Sequence, residues 1–467
     1  MATDRALREL AHALRDDCVV TDPDVCAAYA KDESEARPIV PAAVVRAEST
    51  ADVAAVMRVA SSHGLPVTPR AGGTGRVGGA VPVEGGIVLT LEKMADLKDL
   101  DRANGTATVA PGLVTGELHA RTEAEGLFYP PDPNSSAGCT IGGNIATNAG
   151  GPRALKYGVT GKYVRGLEVV TADGSVLALG RGTRKGVTGY DLASLIVGSE
   201  GTLAIVTEAT LALVPAPEGR ATLLAFFDDE ARIEPALASL YAHRLDPRCA
   251  ELLDARTLAL MQTHAALQVP AGAHAMLLVE LDGDLVAMDA ALERAGNALL
   301  EAGALDVLAA KHGGDRERLW TARREMSRTL RGVARHKMSE DVVVPRTRLG
   351  ELIRATREIS EDVELEMPSY GHAGDGNLHV NFLWNDDGEW PRVERGIGAL
   401  FRRVIDLGGA LTGEHGIGIM KAPYLGLEQS ADVIALESRI KALFDPKGVL
   451  NPGKIFPEAA KRFHGAC

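Results

Sequence analysis

The chain has 467 residues, 46% hydrophobic and 24% charged, with a net charge of −13. This is globular usage over more length than one core of about 100 to 200 residues takes, so two or three packed units are expected. No basic block interrupts the acidic background, which argues against a nucleic-acid or anionic-membrane surface.

Five cysteines, Cys18, Cys26, Cys139, Cys249 and Cys467, form no C-x-x-C pair and no metal-ligand spacing, so an iron–sulfur cluster or a disulfide framework on this chain is not expected. Charges interrupt the opening MATDRALRELAHALRDDC every few positions, and no run of about 18 apolar residues occurs. The expectation is a protein of a reducing cytoplasm with no transmembrane segment.

In chain order, the segment to about residue 32 reads as helical, with Leu7, Leu10, Ala11 and Leu14 at the i, i+3, i+4, i+7 spacing of one face. ESTADVAAVMRVASSH repeats that pattern over 48–63, with Ser49 or Thr50 as N-cap and Gly64 as the stop. A short strand over 65–68 leads into PRAGGTGRVGGAVPVEGG, which is too dense in glycine for a helix or strand interior. Closely spaced glycines allow backbone N–H groups to converge on one anion. The P-loop pattern G-x-x-x-x-G-K-[ST] is absent, and no helical pattern follows to make a Rossmann turn.

After a short helix in TGELHARTEAEG comes a second glycine-rich stretch, 135–161, and then VRGLEVVTADGSVLAL, a strand pair predicted to turn at Asp173-Gly174 in a type I′ hairpin. LAIVTEATLALV is strand-like until Pro215-Ala216-Pro217-Glu218-Gly219 breaks it, which places the first domain boundary. Strands such as ATLLAFF and AMLLVELDG then alternate with helical runs over 285–302 and 315–335, the texture of an α+β domain with an antiparallel sheet. GHAGDGNLHVNFLW is strand-like, a helix is predicted over about 391–407, and FDPKGVLNPGKIF is turn-rich. The expected domains are 1–216, 217–410, and a C-terminal segment 411–467 that returns to the first.

His372 and His379 flank a glycine–aspartate turn, and Glu414-His415 lies in another glycine-flanked turn. A catalytic zinc site typically has three N or O ligands and one open position, which His372, His379 and Glu414 would supply. Residue types alone leave open the alternative that these histidines are ordinary hydrogen-bonded groups. Asn381, two residues after His379, would project from the same strand face, as a substrate contact or a support for the ligands.

PRAGGTGRVGGAVP, PPDPNSSAGCTIGGNIATNAGG, GSEGTLAIVTEATL, GHAGDGNLHVNF, GGALTGEHGIG and FDPKGVLNPGK, in this order over nearly the whole chain, resemble the FAD-linked D-2-hydroxy-acid dehydrogenases. These belong to the vanillyl-alcohol-oxidase flavoprotein superfamily and include glycolate oxidase flavin subunits, D-lactate dehydrogenases and D-2-hydroxyglutarate dehydrogenases. The resemblance implies an α+β fold, a two-subdomain FAD-binding domain of vanillyl-alcohol-oxidase type plus an antiparallel α+β cap. The FAD pyrophosphate would sit on Arg70, Ala71, Gly72, Gly73, Thr74 and Gly75, continued by Gly78 and Gly79. Pro131, Ser135, Cys139, Thr140, Gly142, Asn144, Ala149 and Gly150 would line the flavin and ribityl chain. Gly201 and Ile205 would lie near the adenine, and Asn451 would contact the isoalloxazine. Ala71 departs from the glycine usual in the family, a mild change if its φ is negative. Superfamily members often attach FAD covalently through a histidine in the first loop; none stands between Gly64 and Gly79, so a non-covalent FAD is implied.

By the same resemblance His372, His379 and Glu414 are ligands of a divalent metal, zinc first, with manganese or iron as alternatives. His415 is the general base, its reference pKa of about 6.5 suiting it to accept a proton at neutral pH. The implied reaction has a 2-hydroxy acid chelating the metal, His415 taking the hydroxyl proton and the C2 hydride passing to flavin N5. LWTARREMS makes Arg323 the partner of the substrate carboxylate, with Ser327 one turn later on the same helix face. D-2-hydroxyglutarate enzymes carry a lysine where HKMSEDVVVP has Ser339, while Lys337 stands two residues earlier. This favours D-lactate or glycolate, with D-2-hydroxyglutarate second. A flavin electron-transfer subunit without substrate chemistry is the reading from another class, and the intact site set argues against it. The electrons would pass to an external acceptor: a quinone, a cytochrome, an iron–sulfur subunit or an electron-transferring flavoprotein. Such an acceptor is the only expected link to a membrane, and a homodimer is compatible with the family.

Overall fold

The opening amphipathic pattern forms a shorter helix than its spacing predicts. In the computed structural model, which describes residues 2–264, 268–310 and 313–457, that helix spans Ala2–Ala13 and ends before Asp17, whose φ of +68 lies in the left-handed region. A second helix, Pro23–Ala28, begins where the Asp22 carboxylate accepts from the N–H groups of Asp24 and Val25 and Pro23 opens the first turn. Cys467 lies outside the described residues.

The helix Thr50–His63 has the predicted ends. Ser49 Oγ accepts from Asp52 N at 3.2 Å, and Gly64 takes φ +63.

The chain divides into two compact units. One comprises 2–150, 159–216 and 414–457, and the other Gly151–Gly158 and Pro217–Gly413. The first holds two main sheets. In one, Val19–Val20, Ala43–Arg46, Ile87–Thr90 and Val67–Arg70 lie in that spatial order, and the last three are mutually parallel. Leu10, Val45, Val53, Met57 and Leu89 share its core with Leu450 of the C-terminal segment. Val67 N donates to Val449 O at 2.8 Å and Asn451 N to Val67 O at 2.7 Å, so the segment around Leu450 pairs with the edge of this sheet. The other sheet is antiparallel, in the order Leu97–Asp101, Thr106–Val109, Ile205–Ala212, Val164–Val170 and Val176–Gly180.

Its last two strands form the predicted hairpin with a different turn. Gly174 has φ +83 but Asp173 does not, which excludes type I′. The Asp173 carboxylate instead accepts from Ser175 N at 3.0 Å and from the Thr171 hydroxyl at 2.6 Å. That side-chain bonding stabilises a longer connection closed by Thr171 N donating to Ser175 O. The second glycine-rich stretch is also not all loop, since it contains the helix Ile141–Thr147. A Cβ on Gly142 would stand 2.7 Å from Pro111 Cβ, so glycine in this helix permits a close approach that a larger residue would block.

In the second unit a seven-stranded, wholly antiparallel sheet runs Asp306–Ala310, Gly219–Phe227, Ala275–Gly283, Cys249–Leu253, Ser369–His372, Asn377–Trp384 and His336–Val343. The predicted helical runs are present as Met288–Glu301, Gly313–Arg331 and Trp390–Asp406. Met326 and Leu330 of the second of these pack with Phe226, Leu278 and Tyr370 of the sheet. No helix among the described residues is long and apolar enough to cross a membrane.

Gly396 in the helix Trp390–Asp406 sets how closely that helix approaches the sheet, because a Cβ there would lie 2.6 Å from Cε1 of the fully buried Phe382. Gly396→Ala should therefore destabilise the protein by about 1–3 kcal/mol through overpacking, despite alanine's better helix propensity. A thermal midpoint equal to or above that of the parent would refute this.

Candidate functional site

In the first unit the strand Val67–Arg70 delivers the chain into the glycine loop. A Cβ on Gly72 would overlap the Gly138 carbonyl oxygen, so the two glycine-rich stretches pass with their backbones in contact. Gly73 has φ +67, and a Cβ there would overlap the Arg70 guanidinium. Arg70 Nη1 donates to Lys31 O at 2.7 Å, with the guanidinium 5.4 Å from the centre of the Tyr29 ring. Ala71 keeps a negative φ, so its methyl group is tolerated without strain. Thr74 Cγ2 faces Gly138, Gly75 faces Asp32, Gly78 has φ +78, and Gly79 lies beside the Glu200 carboxylate.

The other candidates for the cofactor divide by what their polar groups do. Pro131 O bonds His119 Nε2 at 2.8 Å, and Ser135 O accepts the N–H groups of Gly138 and Cys139. Cys139 Sγ and Asn144 Nδ2 both donate to Thr115 Oγ1, which holds the loop from inside. Ala149 O accepts from Thr160, and a Cβ on Gly150 would stand 3.0 Å from Glu414 Oε2. Gly201, at φ +68, abuts Pro69, and Ile205 is buried. Asn451 Nδ2 donates to Glu200 O at 2.8 Å and Gly79 O at 3.2 Å, clasping two loops. Thr140 Oγ1, Ser199 Oγ and Asn451 Oδ1 are buried with no hydrogen-bond partner among the described residues. Buried polar atoms are normally satisfied, so a polar ligand on this glycine-lined backbone fits the residues present.

In the second unit the site is built by strand register. Glu251 pairs with His372, Tyr370 and Asp341 pair with His379, and Ser339 pairs with Asn381. Directly paired residues project from the same face of a sheet, and so do residues two apart. One face therefore carries Glu251, His372, Tyr370, His379, Asn381, Asp341, Ser339 and Lys337. The helix Gly313–Arg331 lies over it, with the Arg323 guanidinium 4.9 Å from the Tyr370 ring centre.

The two imidazoles stand 5.3 Å apart, nearly perpendicular. Glu251 Oε1 lies 2.6 Å from His372 Nδ1, and Oε2 lies 2.7 Å from Arg323 Nε and 2.6 Å from Nη2. Burial alone would push the Glu251 carboxyl up, yet His372 and Arg323 together hold it below the usual carboxylate range. Asp341 accepts from Asn377 Nδ2 at 2.6 Å and from Thr412 Oγ1 and Gly413 N at 2.9 Å, and lies 3.7 Å from His379 Nδ1. Glu414 follows Gly413 by one peptide bond. His372, His379 and Glu414 offer two imidazoles and a carboxylate, a donor set that suits a divalent ion with open positions.

The remaining predicted residues are also placed. Lys337 Nζ donates to Ser327 Oγ at 3.1 Å, joining strand to helix. Asn381 Nδ2 donates to Pro368 O and His379 O at 2.9 Å each, so its amide braces the strand that carries His379. His415 is half-buried. Just beyond it, Ile417 N and Gly418 N donate to Glu200 Oε1 and Oε2 at 2.7 and 2.8 Å. Sequence reasoning passed over Glu251, Asp341 and Glu200. The available signal was an acidic residue inside an otherwise apolar strand, as in CAELL.

A family model described as FAD linked oxidases, C-terminal domain, matches residues 216–455, and one described as FAD binding domain matches 41–180. The glycolate oxidase subunit GlcD of Bacillus subtilis is 39% identical over 437 residues, covering 93% of this chain and 93% of that protein. The D-lactate dehydrogenase of Anaerostipes hadrus is 35% identical, covering 89% of each. Among solved structures, 4-ethylphenol oxidase from Gulosibacter chungangensis superposes with a TM-score of 0.79 at 19% identity, covering 98% of each chain.

The buried Glu200 gives a pH test of the first unit. Burial, only partly opposed by the Ile417 and Gly418 N–H groups and by Lys454 and Lys421, pushes its carboxyl from 4.5 to about 6. In that window the native state holds a proton that the unfolded chain releases, so this contribution is full below pH 4.5 and lost as pH rises through about 6. Its size is about 2 kcal/mol. Glu200→Gln cannot ionise, so the thermal midpoint of the variant relative to the parent should rise across this window. Parallel midpoint curves would exclude a raised Glu200.

Proposed function

The chain belongs to the FAD-linked oxidases, with the α+β fold of the vanillyl-alcohol-oxidase flavoproteins, and on that ground we propose that it oxidises a small 2-hydroxy acid, D-lactate or glycolate first, to the 2-oxo acid. The observation that carries this reading is the sheet face that presents His372, His379 and Lys337 together, with Arg323 on the helix over it. The two relatives, a glycolate oxidase subunit and a D-lactate dehydrogenase, agree with it by name.

When bound, non-covalent FAD would accept the C2 hydride, and a divalent metal, zinc first, would acidify the substrate hydroxyl. His372 and His379 offer neutral imidazole nitrogens and Glu414 a carboxylate oxygen for that metal. His415, adjacent to Glu414, takes the hydroxyl proton as general base. Arg323 and Lys337 attract the substrate carboxylate. Because the Nε/Nη2 edge of Arg323 already faces Glu251, that edge is not the bidentate clamp its fork would otherwise offer. Ser327 steadies Lys337. The electrons then leave to an acceptor outside the chain. A second reading, D-2-hydroxyglutarate as substrate, is favoured by one observation: Lys337 shares the strand face of Ser339 and Asp341, where a cation would meet a distal carboxylate.

Anaerobic titration of the FAD-loaded protein with D- and L-lactate, glycolate and D-2-hydroxyglutarate should bleach the flavin best with D-lactate or glycolate. Preference for the dicarboxylate would move the assignment to the second reading, and a flavin that none of them bleaches would overturn both. His415→Ala should slow flavin reduction about 10²–10⁴-fold while FAD stays bound. An unchanged reduction rate in stopped flow would remove it as the base.

A further inference from the structure

Glu251 is the one ionised side chain of the strand Cys249–Leu253, whose five residues are all buried, and it has no exposure to solvent. A carboxylate there is costly unless paired, and packing alone would be met by a leucine or methionine. Its two oxygens serve two different elements. Oε1 faces His372 on the neighbouring strand, and Oε2 faces Arg323 on the helix above the sheet. We propose that Glu251 is a positioning residue that ties the metal-binding form of His372 to the orientation of Arg323. The proposal rests on the metal-assisted reading above and concerns the two groups that would hold the metal and the substrate carboxylate.

The His372 half follows from donor and acceptor chemistry. An ionised carboxylate only accepts, so the 2.6 Å bond requires a hydrogen on His372 Nδ1, and in the neutral ring that binds a metal this leaves the lone pair on Nε2. The Arg323 half is geometric. Nε and Nη2 lie at 2.7 and 2.6 Å from one oxygen while the Tyr370 ring sits 4.9 Å from the guanidinium carbon, which orients the fork with its Nε/Nη2 edge toward Glu251. A glutamine cannot serve both partners, because it has a single acceptor oxygen. With that oxygen toward His372, its NH2 group meets the Arg323 donors. With the oxygen toward Arg323, the NH2 group demands the other His372 tautomer, which places a hydrogen on Nε2.

The test compares the FAD-loaded full-length protein with Glu251→Gln and Glu251→Asp after the metal has been stripped. Zn2+ is titrated back in competition with a chromophoric chelator, and FAD content and thermal midpoint of the metal-free forms are recorded alongside. Glu251→Gln should weaken Zn2+ binding about 10–100-fold and raise KM for the hydroxy acid that bleaches the flavin, with FAD content unchanged. A merely structural role would lower the thermal midpoint and leave the Zn2+ affinity of the folded protein unchanged. Glu251→Asp keeps the charge and removes one methylene, so it should fall between the parent and Glu251→Gln, and it supplies the comparison if Glu251→Gln does not fold. Equal Zn2+ affinity in the parent and the folded variants overturns the role of Glu251 and leaves the metal reading intact. Failure of the parent itself to take up Zn2+ overturns the metal reading, and this inference with it.

Discussion

A carboxylate sealed inside an apolar strand must find donors, and the donors that satisfy Glu251 are two of the groups on which the proposed chemistry depends. Through His372 and Arg323 it joins three elements that are remote in sequence: the strands Cys249–Leu253 and Ser369–His372 and the helix Gly313–Arg331. The antiparallel register then carries the arrangement across the face, from His372 to His379 and on to Asp341. Asp341 is the buried carboxylate at the other end. It lies beside His379 and holds the N–H of Gly413, the residue immediately before Glu414.

In the first unit the governing constraint is backbone proximity rather than charge. Gly72 against Gly138 and Gly142 against Pro111 bring loops closer than any side chain would permit. Thr140 Oγ1 and Ser199 Oγ are buried there without a hydrogen-bond partner among the described residues. Glu200 and Asn451 gather the loops around them. Glu200 holds the N–H groups beyond His415, and Asn451 holds the carbonyls of Glu200 and Gly79. Part of the cofactor set read from motifs thus has internal work. Cys139 and Asn144 are turned to Thr115 and shape the loop that carries Thr140.

Elements whose ends are written by local chemistry were legible in the sequence. Ser49 and Gly64 bound their helix as expected because capping involves only neighbours along the chain. The opening helix was overextended because its apolar spacing continues past Ala13 while the backbone turns away at Asp17. The hairpin at Asp173-Gly174 was legible and its turn type was not, since the Asp173 side chain bonds decided it. Helix Ile141–Thr147 was hidden by glycines whose reason is the nearby Pro111.

The family, the α+β architecture with an antiparallel sheet in its second half, and the residue types able to hold a metal, a carboxylate and a flavin are legible along the chain. These follow from periodicity and from motifs that are contiguous in the chain. What each of those residues is bonded to depends on the folded chain. Glu251, Asp341 and Glu200 read as ordinary acidic residues in one dimension, and the same is true of the edge by which Arg323 is held. Their importance comes from strand pairings and helix placements that bring together residues far apart in the chain, and from the cost of burying a charge, which is set by the surroundings that folding creates.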